Sequence, residues 1–378
     1  MTPRTTRKLL LSTAALLLAA AGCRPQEGET VRIGVAIPAA TTGGRSVQRG
    51  VELAVEEFNA AGRLRGRTVE LDVRDDGGSP GQAIVVAAAL RDDPRVVAVV
   101  GHVNSSATLA AAGVYNDPRN GLLEISPTAS SPQVSGAGPW TFRVSPTDLA
   151  YGPAIARWLA GEGNRRAAVL YLNDEYGRHL AQSFAASFEE GRGAVVALDP
   201  FLPGTLEDEE ALSAYLTRSM RRGMDALVIA GTAEDARWIV PAARRAGHGG
   251  PIVGADGLLG IEGFGAGVDG TYLSAAFFAD SPSEEARRFV QAYAERWGEL
   301  PNADGALAYD AARVVLRALV EGGLSRRAVR DYVSGIGTTH PAFPGVTGEI
   351  RFDENGDAAD KAVAVGVVRD GRVTQVGS

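Results

Sequence analysis

Short β-branched apolar runs alternate with stretches of helical period, and the whole alternation occurs twice in series. Residues 31–37 form a β-branched run suited to a strand buried on both faces of a parallel sheet. Val51, Ala54, Val55 and Phe58 then recur at helical spacing, with Glu52, Glu56 and Glu57 on the other faces. Residues 68–75 alternate as a strand. A helix at 79–91 opens on Ser79-Pro80, with proline at the favoured first turn. A strand at 96–100, a helix at 105–115 and a strand at 122–125 complete the first array. The second array has strands at 167–172, 194–198, 226–229 and 252–253. Helices at 177–190 and 207–221 lie between them, with a third that buries Ile239, Ala242, Ala243 and Ala246. Two βαβ arrays predict an α/β chain of two doubly wound, Rossmann-like lobes. Its 378 residues agree, since single cores seldom grow beyond roughly 250–300 residues. Two longer helices, at 283–297 and 305–321, follow. The second has a buried face of Leu307, Ala311, Val314, Val315 and Ala318. A strand pair is expected at 348–352 and 362–368, with Asn355-Gly356 as the turn between them.

The N-terminus is an address. Arg4, Arg7 and Lys8 precede an almost wholly apolar run at 9–21. That run is too short to span the ~30 Å hydrocarbon core and suits a cleaved signal segment. It ends Ala20-Ala21-Gly22-Cys23, which resembles a bacterial lipobox with Ala20 where leucine is usual. The motif implies a signal peptide at 1–22, a lipid anchor on Cys23 and a polar tether at 23–30 containing Pro25 and Gly28. Loss of 1–22 removes three cations and no anions, which takes the formal charge from −7 to −10. Cys23 is the single cysteine of the chain. A disulfide framework, a thiolate zinc site and an iron–sulfur cluster are thereby excluded. The acidic balance argues against nucleic acid as a partner. The four histidines (His102, His179, His248 and His340) have no ligand spacing, so no metal or cofactor is expected.

Two local matches carry little. Gly265-x-Gly267-x-x-Gly270 has the letters of a dinucleotide fingerprint, but a strand-like segment follows where the motif needs a helix. Asp353-x-Asn355-x-Asp357 resembles half a calcium loop, with Ala358 at the glycine position and Ala364 at the glutamate position. No Walker A sequence, Gly-x-Ser-x-Gly elbow or His-Glu-x-x-His is present.

Polar strand ends are more informative, because open α/β sheets bind ligands at the carboxyl ends of their strands. Residues 101–106 close a strand and open a helix, and Ser105 can either cap that helix or help its amides bind a carboxylate. Ser126-Pro127-Thr128-Ala129-Ser130 is a second hydroxyl-rich end. Asn173-Asp174-Glu175-Tyr176 and Ala255-Asp256-Gly257 are their counterparts in the second array, and Thr232 follows a further strand. Hydroxyls from one lobe facing an aromatic and an acid from the other would suit a zwitterion.

Ile33-Gly34-Val35, Gly50-x-Glu52-Leu53-Ala54, Gly101-His102, Ser126-Pro127, Phe142-Arg143, Asp174-x-Tyr176-Gly177 and Phe352-Asp353-x-Asn355-Gly356-Asp357 occur in that order. The ordered set resembles the leucine/isoleucine/valine-binding family of type I periplasmic binding proteins over 31–376. The resemblance implies two lobes, 31–145 with 278–342 and 146–277 with 343–378, joined by crossings near 143–148, 275–280 and 341–347. It implies that Ser105, Thr128 (through its backbone) and Ser130 hold the ligand's carboxylate and amino groups. Tyr176 would close over the ligand, Asp256 would hold the ammonium, and Thr232 would be a further contact. The implied function is capture of an amino acid, branched-chain or related, by a monomeric extracytoplasmic lipoprotein that delivers it to an ABC permease. The alternatives are a sensor of amino acids, amides or urea on the same fold, and a secreted enzyme, for which no nucleophile–base motif speaks. Two departures stand out. The loop Thr41-Thr42-Gly43-Gly44-Arg45 lacks the aromatic that some members place against the ligand side chain. Asn104 also stands where members often carry a disulfide cysteine, so this fold must hold without one.

Overall fold

The computed structural model describes residues 30–206 and 209–376. The signal segment 1–22, Cys23 and the tether as far as Glu29 lie outside the described residues. The chain begins with β1 (Val31–Ile37), α1 (Thr42–Ala60), β2 (Val69–Asp75), α2 (Pro80–Asp92), β3 (Val96–Gly101), α3 (Ser105–Tyr115), β4 (Leu123–Ser126) and β5 (Thr141–Arg143). It continues with α4 (Asp148–Gly161), β6 (Arg166–Leu172), α5 (Glu175–Glu190), β7 (Ala194–Phe201), α6 (Glu209–Arg221), β8 (Ala226–Ala230), α7 (Ala233–Arg245), β9 (Ile252–Gly254) and β10 (Thr271–Ala275). The last elements are α8 (Glu284–Trp297), α9 (Ala303–Glu321), α10 (Arg326–Ser334), β11 (Phe343–Gly345), β12 (Gly348–Ile350), β13 (Ala364–Arg369) and β14 (Arg372–Gln375).

The first sheet is parallel throughout, in the order β2-β1-β3-β4-β5. The second runs β14-β13-β10-β9-β8-β6-β7, so its parallel part repeats that order from β7 to β10. β3 and β4 are buried at every residue, as strands covered on both faces must be. Val51, Ala54 and Val55 of α1 and the predicted face of α9 are buried. The two helices pack along each other over the first sheet, with α8 and α10 beside them. The chain therefore passes from the first sheet to α4 after β5, returns from β10 to α8, and crosses again after α10 to reach β13.

Some expectations change. No helix is read from the sequence at α4, which carries Gly152 and Pro153, both poor in a helix interior. Packing requires that glycine: a Cβ on Gly152 would lie 2.6 Å from the Phe184 amide nitrogen of α5. The expected strand pair does not form. β12 pairs with β11, whereas β13 runs antiparallel to β10 and β14 in the second sheet. Asn355-Gly356 closes only an isolated bridge between Phe352 and Ala358. There Asp353 Oδ1 accepts the amide N–H groups of Asn355 and Asp357, each at 2.9 Å. Residues 42–45 are not a loop but the first turn of α1, capped by the Thr41 hydroxyl. The 265–270 glycines lie in 3₁₀ turns that lead into β10, so no helix start is there to bind a dinucleotide. Among the described residues no helix is long and apolar enough to cross a membrane, and no group of acidic, histidine or cysteine side chains is arranged to hold a metal ion.

Candidate functional site

In each sheet the strand order reverses beside the first strand, between β1 and β3 and between β6 and β8. Loops diverge there and leave a crevice at the strand carboxyl ends. The two crevices face each other across one cavity of about 100 Å³. Ser105 and Thr128 line it from the first sheet, and Tyr176, Thr232 and Asp256 from the second. Such a volume, small against the several hundred Å³ of a drug-sized pocket, suits a compact solute.

On the first side Ser105 is the first residue of α3 rather than its cap. Asn104 occupies the cap position and makes no side-chain bond to the helix start. Among the described residues the first amides of α3 are thus left without a side-chain acceptor, at the positive end of the helix dipole. The Ser105 hydroxyl accepts the Ser131 N–H at 3.2 Å, and the Thr128 hydroxyl donates to the Val103 carbonyl at 2.8 Å. These bonds tie the β4–β5 loop to the α3 start. Ser130 is not among the residues lining the cavity. It is fully buried behind it, its carbonyl accepts the Asp148 N–H at 2.8 Å, and its hydroxyl has no hydrogen-bond partner among the described residues. His102 is structural: it is buried, 2.5 Å from an Asp76 carboxylate oxygen, and its carbonyl accepts the Ser126 hydroxyl.

On the second side Asp174 caps α5 by accepting the Gly177 N–H at 2.8 Å, which fixes the turn carrying Tyr176. The Tyr176 hydroxyl donates to Asp256 Oδ1 at 3.1 Å and accepts the Gly257 N–H at 3.0 Å. Gly257 has to be glycine, because a Cβ there would lie 2.6 Å from that hydroxyl oxygen. Burial pushes the Asp256 carboxyl up to about 7, against the opposing hydrogen bonds from Tyr176 and Gly257. Burial, and then the charge of Asp256, also raises Asp148 and Asp304. Thr232 is committed to a reciprocal cap of α7, its hydroxyl donating to Asp235 Oδ2 at 2.8 Å while accepting the Asp235 N–H.

The two sides are closed on each other. The Thr42 N–H donates to Glu234 Oε1 at 3.1 Å, and the Glu175 N–H donates to the Ser106 hydroxyl at 3.3 Å. Ser131 Oγ lies 3.1 Å from His179 Nδ1. Sequence reasoning did not assign Asp148, Glu234 or Asp304, and it noted Arg143 without giving it a role. Asp304 and Glu234 line the cavity but lie in the first turns of α9 and α7, where acids are ordinary complements to the helix dipole. Their only sequence signal is an acid in the first turn of a largely apolar helix.

A fold and site of this kind define a solute-binding protein, in which two α/β lobes close over a small polar cavity. Residues 30–372 match the family model of periplasmic binding proteins, and the chain belongs to that family of extracytoplasmic, non-enzymatic binding proteins. The Leu/Ile/Val-binding protein homolog 1 of Brucella abortus is 26% identical over 336 residues, covering 86% of this chain and 87% of its own. The branched-chain amino acid transporter substrate-binding protein LivJ of Streptococcus pneumoniae, solved with isoleucine, superposes with a TM-score of 0.82 at 28% identity. That match covers 92% of this chain and 100% of the other. The leucine-binding protein LivK of Thermotoga maritima gives a TM-score of 0.82 at 29% identity, covering 92% and 98%. The fold is the type I periplasmic binding protein fold.

Proposed function

We propose that this chain is the solute-binding component of an ABC transporter, and that it takes an α-amino acid into the interlobe cavity and presents it to a membrane permease. One observation carries the reading: the uncapped start of α3 and the Asp256–Tyr176 pair border the same closed cavity. The ligand carboxylate lies against the α3 amides with the Ser105 hydroxyl and the Thr128 backbone, as anions do at helix N-termini. Its ammonium donates to Asp256, and Tyr176 covers it from the second lobe. Both contacts are charge-assisted and sheltered from water, so they strengthen on closure. The open form admits the ligand and the closed form is what a permease recognises. The relatives named for leucine, isoleucine and valine, and for branched-chain transport, support this class of ligand. Thr232 is a wall residue whose hydroxyl is spent on its helix, and Ser130 acts from behind the wall. The Ala20-Ala21-Gly22-Cys23 segment supports a mature protein that begins at Cys23 and is held to the membrane by lipid there.

A thermal-shift series with the mature chain and the common amino acids tests the binding reading. A ligand present at 100 times its Kd should add about 2.7 kcal/mol of stability. The reading fails if no amino acid raises Tm at millimolar concentration. Lipid attachment is tested separately by membrane fractionation of the Cys23→Ser variant, which should be released into the soluble fraction.

A further inference from the structure

Among the described residues, the cavity wall carries four carboxylates, Asp174, Glu234, Asp256 and Asp304, and no lysine, arginine or histidine. A simple amino acid brings one ammonium, which Asp256 is placed to meet. Asp174 is occupied in capping α5, and Glu234 receives the Thr42 N–H. Asp304 is different. It is 7% exposed and has no hydrogen bond or ion pair with any described residue. The start of α9 does not need it, because Asn302 already caps that helix by accepting the Gly305 N–H at 3.1 Å. Its carboxylate borders the cavity beside the first turn of α1: a Cβ built on Gly43, itself a wall residue, would lie 3.1 Å from Asp304 Oδ2.

We propose that the ligand is a diamino acid, whose side chain ends in a second cation that Asp304 receives with Glu234 beside it. The inference rests on the amino-acid reading above and names the class of amino acid. Val103, Leu172 and Leu259, also on the wall, give the methylene stem apolar sides while the charged tip reaches the carboxylates. A leucine-like side chain would instead leave a buried carboxyl facing methyl groups with no donor, an arrangement that proteins avoid. The first turn of α1 supplies no aromatic to receive such a side chain. Burial and the neighbouring charge of Asp256 raise the Asp304 carboxyl, and an incoming cation would remove the penalty for charging it.

Calorimetric titration of the mature chain with L-lysine against L-norleucine, and L-ornithine against L-norvaline, tests this, since each pair shares a carbon skeleton and differs in the terminal amine. Each diamino acid should bind at least about tenfold more tightly than its partner, the scale of one charge-assisted bond. Asp304→Asn, and independently Glu234→Gln, should shrink that preference. Norleucine binding as tightly as lysine to the unaltered chain would overturn the proposal and leave the amino-acid reading intact. So would a preference that survives both substitutions. If neither series binds, this inference fails, and the thermal-shift series with the common amino acids decides separately whether the amino-acid reading stands.

Discussion

The Arg143 guanidinium and the Asp357 carboxylate, 214 positions apart, form a two-armed ion pair with Nε–Oδ1 at 2.7 Å and Nη2–Oδ2 at 3.0 Å. Arg143 is fully buried, and its Nη1 also donates to the carbonyls of Ala129 and Ser131 at 3.1 and 2.7 Å. One side chain thus joins the end of β5, the turn before β13 and the loop that carries Thr128. It shapes the first-lobe side of the site without lining it.

Replacing Arg143 by lysine keeps a cation but cannot reproduce the fork or satisfy both carbonyls. Breaking a buried pair of this kind costs about 3–5 kcal/mol, so Arg143→Lys should lower Tm by several degrees in calorimetry. Asp357→Asn should cost less, because the Asp357 side chain is 15% exposed and water can reach the guanidinium edge. Equal Tm values for all three proteins would remove the pair from the account of stability.

Tyr176→Phe deletes a hydroxyl that donates to Asp256 and accepts from Gly257 while keeping the ring. The bond to Asp256 opposes the upward push of burial on that carboxyl, so its loss leaves less carboxylate to hold an ammonium at neutral pH, and ligand affinity should fall on the order of tenfold in titration calorimetry. An unchanged Kd would show that the ring alone covers the ligand.

Asp256 must be ionised to hold an ammonium, and burial holds its carboxyl up at about 7. A proton therefore competes with the ligand below that value. Affinity should rise with pH up to about 7 and then level off, with a slope approaching about tenfold per pH unit on the acid side. Binding near pH 6 should release protons, seen as a dependence of the calorimetric heat on the buffer's ionisation enthalpy. An affinity constant from pH 5 to 8 would contradict the assignment.

The same group makes the fold sensitive to pH in the sense opposite to ordinary acid denaturation. Its folded value is raised from 3.8 to about 7, so its contribution to stability is present below 3.8 and is lost as pH rises through about 7. Asp148 and Asp304 are raised in the same direction. Across this window Asp256→Asn should gain Tm relative to the unaltered protein as pH increases, measured without ligand. A constant difference would mean that Asp256 does not titrate inside the fold.

By itself the sequence determined the alternation of strands and helices and the places where strands end. β1 begins and ends where its β-branched run does, and α3 spans the residues that its sequence indicates. Ser105, Thr128, Tyr176 and Asp256 could be singled out because a strand end is a local feature, and in an open α/β sheet such ends gather at one edge. The tertiary structure alone decided which non-local groups meet there. Asp304 reads as a first-turn helix acid until the start of α9 is seen beside that of α1, with its side chain buried and without a partner among the described residues. Arg143 meets Asp357 only because the turn before β13 folds back against the end of β5. α4 exists despite Gly152 and Pro153 because α5 offers it a surface. Hydrophobic period reports which side of one element faces inward, and it carries no information about which distant element is packed there.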